Sequence, residues 1–318
     1  MRHFLDFEKP ISVLEGKIEE LRHMSSDMDI NIVEEISRLQ KKMTREMKTT
    51  YEKLGPWEKV QVARHPDRPK AVSIINSLID DYTPLSGDRN FKEDHAIVGG
   101  LGRFRGQPVV IMGTEKGTTT EERIKRNFGM VRPEGYRKAR RLMELAQRFG
   151  LPVITLVDTA GAYPGRGAEE RGQAEAIARS IETCLNLTSP IISAVVGEGG
   201  SGGAIALAAG NRVVMYEHAV YSVISPEGCA SILWRSAEHA KTAAEALRLT
   251  ADDMQKLGVV DEVVMEPLGA AHRDPAKAIS DLGDAIENQL QSLSGLSGEA
   301  LVNDRHNKYI ALGDKGLA

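Results

Sequence analysis

The sequence has few cysteines, no long apolar run and no strong excess of charge of either sign. Cys184 and Cys229 lack CxxC spacing and a histidine cluster, which argues against a disulfide framework and predicts no metal site in this chain. No apolar window reaches membrane-spanning length, and the N-terminus has no apolar signal core. A net charge of −4 gives no basic field for nucleic acid or an anionic membrane. We therefore expect a cytoplasmic protein without membrane or nucleic-acid partners.

The chain has the composition of an ordinary folded domain, and its first 55 residues fit a helical arm that precedes this domain. Hydrophobic residues make up 41% of the 318 residues and charged residues 27%. Residues 1–55 are polar, and apolar residues such as Ile11 and Ile18 recur at helical spacing, with a break near residues 25–29. Such helices bury little alone, so we expect the arm to pack on the main domain, residues 56–295, or on another subunit.

Two local expectations concern the C-terminal tail and one histidine. The tail, residues 296–318, is polar and ends in glycine-rich sequence, so we expect it to fray from Asn303 onward. His65 is followed by Pro66 and fits a surface or capping position better than a ligand position.

Alternating strand and helix patterns in the middle of the chain predict an α/β fold with a parallel sheet. Ile97–Phe104 and Pro108–Met112 fit a hairpin, and a helix follows from Pro133 to Phe149. Pro152–Val157 and Ile191–Val196 then fit buried strands. Right-handed crossovers place the loops after these two strands at one edge of the sheet, where α/β proteins build their sites.

A glycine-rich stretch after the second of these strands carries the strongest functional signal. It contains Gly197, Gly199, Gly200, Gly202 and Gly203. A short helix, predicted from Ala204 to Ala209, follows. Free backbone N–H groups at a helix start, together with the helix dipole, attract negative charge. We therefore expect an anion or an oxyanion to bind here, although a tight turn without function is an alternative.

A dinucleotide-binding fingerprint is one interpretation of this stretch. Gly197-x-Gly199-x-x-Gly202 matches the pattern, and Glu217 stands where a ribose-binding acid would. The interpretation is weakened because the helix Ala204–Ala209 is short and because such a fingerprint usually opens a domain.

The nucleophile elbow of serine hydrolases is a second interpretation. Gly199-x-Ser201-x-Gly203 matches it, and its partners would be Asp252, Asp261 and His272. Glycines on both sides of Ser201 leave that serine without a packed shell to hold it in an attacking geometry.

An oxyanion hole made of backbone N–H groups is the third interpretation, and it gives Ser201 no role. Gly202 and Gly203 would donate from the glycine stretch, and Gly161 and Ala162 from the loop after the preceding strand. Two facing pairs of amides suit a reaction in which an enolate forms and collapses, since the charge then develops on oxygen.

Long motifs in this sequence resemble the alpha subunits of bacterial acetyl-CoA carboxylase carboxyltransferase, and the resemblance covers nearly the whole chain. They are Arg126–Gly129, Pro133–Ala139, Asp158–Gly165, Gly167–Gln173, Gly197–Ala204 and Tyr221–Trp234. Ala160 departs from the family pattern, in which proline is common at this position, but this change removes no backbone donor.

The resemblance implies a crotonase-like fold, a spiral of ββα units, and transfer of a carboxyl group from carboxybiotin to acetyl-CoA, giving malonyl-CoA for fatty acid synthesis. It implies that Gly202 and Gly203 form the oxyanion hole, and that biotin is bound by Gly161, Ala162, Tyr163, Pro164, Gly199 and Gly200. The implied partners are a zinc-ribbon beta subunit in an α2β2 assembly, the biotin carboxyl carrier protein, and biotin carboxylase, which uses the ATP.

Two other functions stay open at this point. A non-catalytic scaffold with a degenerate crotonase fold is disfavoured by the intact glycines in both loops. A different acyl-CoA enzyme of the same fold, such as a hydratase, an isomerase or a related biotin-dependent carboxyltransferase, is the other alternative. A hydratase or isomerase would need acidic side chains aimed at the substrate carbon.

Overall fold

The N-terminal arm is helical, as the sequence predicts. The computed structural model describes residues 3–24 and 30–313, so the predicted break near residues 25–29 lies outside the described residues. A 3-10 turn, Asp6–Glu8, precedes the helices α1, Lys9–Met24, and α2, Ile30–Tyr51. Ile11 and Ile18 are buried, which confirms the predicted apolar stripe of α1.

A single mixed sheet forms the centre of the main domain. Its strands are β1 Ile79–Pro84, β2 Ile97–Phe104, β3 Gln107–Thr114, β4 Val153–Thr159, β5 Ile191–Gly200, β6 Arg212–Tyr216, β7 Val220–Ser222 and β8 Glu262–Val264. The order is β1-β2-β3-β4-β5-β6-β8, with β7 paired to the end of β5. The first three strands are antiparallel, which confirms the hairpin, and the pairs from β3 onward are parallel.

Helices cover the sheet on both faces. They are α3 Pro56–Ala63, α4 Ala71–Leu78, α5 Thr120–Lys125, α6 Pro133–Phe149, α7 Arg166–Glu169, α8 Gln173–Asn186, α9 Ser201–Ala208, α10 Pro226–Trp234, α11 Ala240–Ala246, α12 Ala251–Lys256, α13 Pro275–Ser292 and α14 Gly298–Ile310. Helices α6, α8 and α9 form one layer, and α4 and α13 form another. Strand β4 is buried along its whole length, as expected of a parallel strand between two helical layers. Within the described ranges, no helix has the length and apolar character needed to cross a membrane.

The described part of the C-terminal segment, up to residue 313, is folded, contrary to the expectation of a frayed tail; residues 314–318 lie outside the described residues. Helix α14 continues to Ile310, and its Arg305 side chain is fully buried. The Arg305 guanidinium donates to Ser189 O at 3.2 Å and to Asn211 Oδ1 at 2.5 Å. The prediction failed because a polar residue that pairs with buried carbonyl groups is indistinguishable in sequence from a solvated one.

A buried polar cluster attaches the arm to the domain. Glu8 Oε1 accepts hydrogen bonds from Arg273 at 2.9 Å and from Tyr51 at 3.0 Å. Beside the Glu8–Arg273 ion pair, the rings of His65 and His272 stack with their centroids 3.7 Å apart. The prediction of a surface position for His65 is therefore wrong, although His65 Nδ1 does accept a local N–H.

Replacing His272 should flatten the dependence of stability on pH. Burial first, and then His65 and Arg273, lower the pKa of His272 to about 2. A histidine in the unfolded chain has a pKa of about 6.5. Below that pH the unfolded state therefore binds a proton at His272, whereas the folded state does not. When the pH falls from 7.5 to 5.5, the free energy of unfolding should therefore decrease by about 1.4 kcal/mol more in the wild-type chain than in the His272→Phe variant. Urea unfolding at both pH values measures this, and equal losses would contradict the prediction.

Candidate active site

The loops after β4 and β5 meet at one edge of the sheet, as the crossover rule predicts. Thr159 at the end of β4 lies opposite Gly199 of β5. Farther along, a β-carbon added at Gly161 would lie 3.9 Å from both Gly200 O and Ser201 Cβ. The two glycine-containing loops are thus in contact, and their N–H groups belong to one site.

The first three glycines of the stretch lie in β5 and not in a turn, so the predicted strand end at Val196 is wrong. A β-carbon at Gly197 would lie 2.3 Å from the Asp158 carboxylate, and one at Gly200 would lie 2.3 Å from Ala160 O. These positions therefore require glycine because another backbone or side chain approaches too closely. The assignment of Gly199 and Gly200 to biotin stays a prediction.

The start of α9 presents the predicted donors. This helix begins at Ser201, three residues earlier than predicted, so the N–H groups of Gly202 and Gly203 lie in its first turn and have no partner within the helix. A β-carbon at Gly203 would lie 2.6 Å from the Ala162 nitrogen, which brings the second loop to the same place. Ser201 has φ +57°, a strained value for serine that often accompanies functional sites.

Gly161 is less free to donate than predicted, although its assignment to biotin stays a prediction. Its φ of +145° is open to glycine and strained for other residues. Its N–H donates to Thr159 Oγ1 at 3.1 Å, so this amide already has a partner inside the loop. Ala162 is thus the better donor of the predicted pair.

Polar contacts fix the loop that contains Tyr163 and Pro164. Tyr163 N–H donates to Val131 O at 3.0 Å, and the Tyr163 ring lies 4.9 Å from the Arg132 guanidinium. Gln173 Nε2 donates to Tyr163 O at 2.9 Å and to Val131 O at 2.8 Å. Sequence analysis assigned no role to Gln173, because no sequence pattern marks a side-chain amide that donates to backbone carbonyl groups.

Tyr136 is a second residue that the sequence did not single out. Its hydroxyl would lie 2.8 Å from a β-carbon at Gly203, and it is fully buried with no hydrogen-bond partner among the described residues. Burial raises the pKa of Tyr136, which keeps the hydroxyl protonated. Its place on the apolar face of α6 resembles ordinary core packing.

The partners that a serine nucleophile would need are elsewhere. Asp252 pairs with Lys59, Asp261 pairs with Lys308, and His272 stacks on His65. The dinucleotide interpretation fails on its glycines, because Gly197 and Gly199 lie within β5 and not in the strand–helix turn that the fingerprint requires. The oxyanion interpretation is the one that this geometry supports.

Among the residues that the structure describes, one cluster consists of side chains of types that can bind a metal ion: Glu8, His65 and His272. Glu8 already pairs with Arg273, and both ring nitrogens of His65 lie near backbone partners. The two imidazole planes are 15° from parallel, so their lone pairs do not converge on one ion. This group fits an anchor of the arm better than a metal site, and the absence of a metal stays a prediction.

The central sheet and the helical layers on its two faces form a crotonase-like fold. Similar solved structures include transcarboxylase 12S, with a TM-score of 0.57 and 18% identity over 71% of this chain and 42% of that chain. A chain of the Pseudomonas malonate decarboxylase hetero-tetramer has a TM-score of 0.56 and 16% identity over 70% of this chain and 89% of that one. This chain thus spans less than half of the transcarboxylase chain, and these similarities show the fold.

Sequence relatives then give the family. Residues 4–313 match the family model described as acetyl co-enzyme A carboxylase carboxyltransferase-like. Proteins from Paramagnetospirillum magneticum and Rhodospirillum centenum, both named acetyl-coenzyme A carboxylase carboxyl transferase subunit alpha, are 63% identical over 99% of this chain and 100% and 99% of theirs. The chain belongs to the acetyl-CoA carboxylase carboxyltransferase family, whose members are transferases.

Alanine substitutions at the neighbouring donors Gly202 and Gly203 should differ in their effect on the rate of carboxyl transfer. A β-carbon at Gly202 has only Ile177 Cγ2 nearby, at 3.7 Å, so Gly202→Ala should fold normally and keep most carboxyl transfer. At Gly203 the same carbon meets the Ala162 nitrogen, so Gly203→Ala should separate the donors and slow transfer about 100-fold. Transfer rates of folded, assembled variants measure this. Equal rates for both variants would contradict the assignment of Gly203.

Proposed function

We propose that this chain transfers the carboxyl group of carboxybiotin, carried by the biotin carboxyl carrier protein, to acetyl-CoA to form malonyl-CoA for fatty acid synthesis. The observation that carries the proposal is the meeting of Ala162 N–H with the first turn of α9, which contains Gly202 and Gly203. The names of the 63% identical relatives support the same reaction.

The residues fit an oxygen atom that becomes negatively charged. Because Gly203 has no β-carbon, the first turn of α9 can come close to Ala162; a β-carbon at Gly203 would lie only 2.6 Å from the Ala162 nitrogen. Carboxybiotin would supply the carboxyl group as CO2, and the negative charge left on its ureido oxygen would let biotin itself take the proton that the acetyl methyl group must lose before it attacks CO2. The N–H groups of Gly202, Gly203 and Ala162 stabilise that charge by donating to it. Gly161, Gly199, Gly200, Tyr163 and Pro164 shape the surrounding pocket.

This mechanism needs no side-chain base from the chain. Asp158 and Glu198 each lie four residues before a donor, but both pair with Lys116 at 2.7 Å, and Glu198 also pairs with Arg64 at 2.6 Å. Although burial acts in the opposite direction, Lys116 and Arg64 lower the pKa of Glu198 to about 2. A carboxylate held in this state is a poor proton acceptor, which also disfavours a hydratase or isomerase.

Removing the serine hydroxyl tests the donors against a nucleophile. If backbone N–H groups act, Ser201→Ala in the assembled enzyme should keep at least about a third of the rate, because the substitution removes no donor. A nucleophilic serine would lose several orders of magnitude. Transfer of labelled carboxyl from carboxybiotin to acetyl-CoA is the measurement, and loss of activity in a folded Ser201→Ala assembly contradicts the proposal.

An exposed apolar surface on α10 supports a partner subunit. Ile232 is 71% exposed, Leu233 64% and Trp234 40%, and Val223 just before the helix is 72% exposed. Contiguous apolar exposure of this kind marks an interaction site. The start of this helix is linked to the strand edge, because Glu227 is joined through Arg64 to Glu198 near the end of β5.

The partner that we propose is the zinc-ribbon beta subunit, in an α2β2 assembly that works in the cytoplasm with the biotin carrier and biotin carboxylase. The relatives are named as subunits, and the malonate decarboxylase neighbour is part of a hetero-tetramer. The beta subunit would complete the site and bind most of coenzyme A, while the arm, residues 1–55, braces the assembly. Biotin carboxylase, and not this chain, would use ATP.

A charge on the α10 surface should prevent assembly without unfolding the chain. Leu233 is exposed, so Leu233→Arg should leave the melting temperature of the isolated chain unchanged and abolish both heteromer formation and transfer. Phe149→Arg, at another exposed apolar residue, is the control that should still assemble. Size-exclusion chromatography with light scattering measures the assembly. A Leu233→Arg chain that assembles normally rules out this surface.

A further inference from the structure

Strand β5 changes its neighbours just before it reaches the donors. It pairs with β6 as far as Val195 and with β7 from Glu198 onward. At the same point its register to β4 shifts, because Val157 lies opposite Val195 but Thr159 lies opposite Gly199. Strand irregularities next to active sites redirect the chain, and this one directs the segment that leads to α9.

Charged side chains hold this irregularity from two sides. Asp158 Oδ1 accepts the Glu198 N–H at 2.9 Å, and the Asp158 carboxylate occupies the space that a β-carbon at Gly197 would need. Arg68 Nε donates to Val196 O at 2.7 Å. The backbone groups that lose their regular ladder partners here thus find side-chain partners instead.

Lys116 joins the two strand ends. Its ammonium lies 2.7 Å from Asp158 Oδ1 on β4 and 2.7 Å from Glu198 Oε2 on β5. Although burial alone would favour the neutral amine, the two carboxylates raise the pKa of Lys116. The stem of its side chain passes Gly129, where a β-carbon would lie 2.7 Å from Lys116 Cγ.

The geometry predicts what would follow if this ammonium were absent. The carboxylates of Asp158 and Glu198, both largely buried, would then face each other without the cation between them. Like charges in a dehydrated site repel, and a buried ion left without its partner is strongly unfavourable. Asp158 precedes Ala162 by four residues and Glu198 precedes Gly203 by five. A separation of the strand ends would therefore reach the donors on both loops.

We propose that Lys116 is a positioning residue that keeps the ends of β4 and β5 at the distance at which the Ala162 and Gly203 N–H groups meet. Arg64, which pairs with Glu198 Oε1 at 2.6 Å, supports it from α3. Lys116 acts through the backbone and does not touch the reacting atoms. The kinetic consequence rests on the proposed function, but the structural consequence does not.

The test compares Lys116→Met, which removes the charge, with Lys116→Arg, which keeps it. Lys308→Met is the matched control, since Lys308 also has a mostly buried side chain and pairs with Asp261, away from the donors. Hydrogen exchange of the peptide covering residues 197–207 is measured on the isolated chain. The kcat and KM for acetyl-CoA are measured on the assembly with its partner.

We expect Lys116→Met to speed exchange across Gly199–Gly203 at least tenfold and to lower kcat about 100-fold with KM within threefold of wild type. Lys116→Arg should recover at least tenfold of the lost kcat. Lys308→Met should change neither measurement.

The proposal is overturned if the Lys116→Met variant has the hydrogen-exchange rate and the kcat of the wild type. It is also overturned if the variant has a raised KM and an unchanged kcat, because that result indicates direct contact with substrate. If the wild-type assembly transfers no carboxyl group, the proposed function fails, while the exchange comparison still decides whether Lys116 positions the donors.

Discussion

The close approach of the ends of β4 and β5 is the constraint on which the rest of the site depends. At Gly197, Gly200 and Gly203 a single additional carbon would lie within 2.6 Å of an atom of the β4 segment or its loop. Two parallel strands that end so close together turn their loops toward the same point. The N–H groups that remain unpaired at a helix start then have one place in which to act.

The two sides of this strand edge have different chemistry. On one side the first turn of α9 and Ala162 offer uncharged donors. On the other, Lys116, Asp158 and Glu198 form a largely buried network, with the more exposed Arg64 at its edge, beside a cavity of about 390 Å³. Fixed donors are effective because they do not have to reorganise as charge develops. Arg64 also pairs with Glu227 at the start of α10, the helix that carries the exposed apolar surface.

Sequence reasoning predicted the parallel sheet, the hairpin, the arm and the meeting of the two loops, because these follow from hydrophobic periodicity and crossover handedness. It failed where tertiary contacts override local patterns. Gly197, Gly199 and Gly200 look like part of a turn but lie in β5, and polar α14 folds because Arg305 pairs with buried carbonyl groups. No role could be assigned to Lys116 or Gln173 from sequence, since their partners are distant along the chain, and the burial of the Tyr136 hydroxyl beside Gly203 is visible only in the fold.

The most direct test of this account is a crystal structure of the chain, assembled with its partner, with biotin bound. The measured quantity is the distance from the ureido oxygen to the backbone nitrogens of Gly203 and Ala162. The account predicts that both distances fall within the range of a hydrogen bond, about 2.7–3.2 Å. A ureido oxygen that is bound by a side chain instead, with both nitrogens beyond hydrogen-bond range, would contradict it.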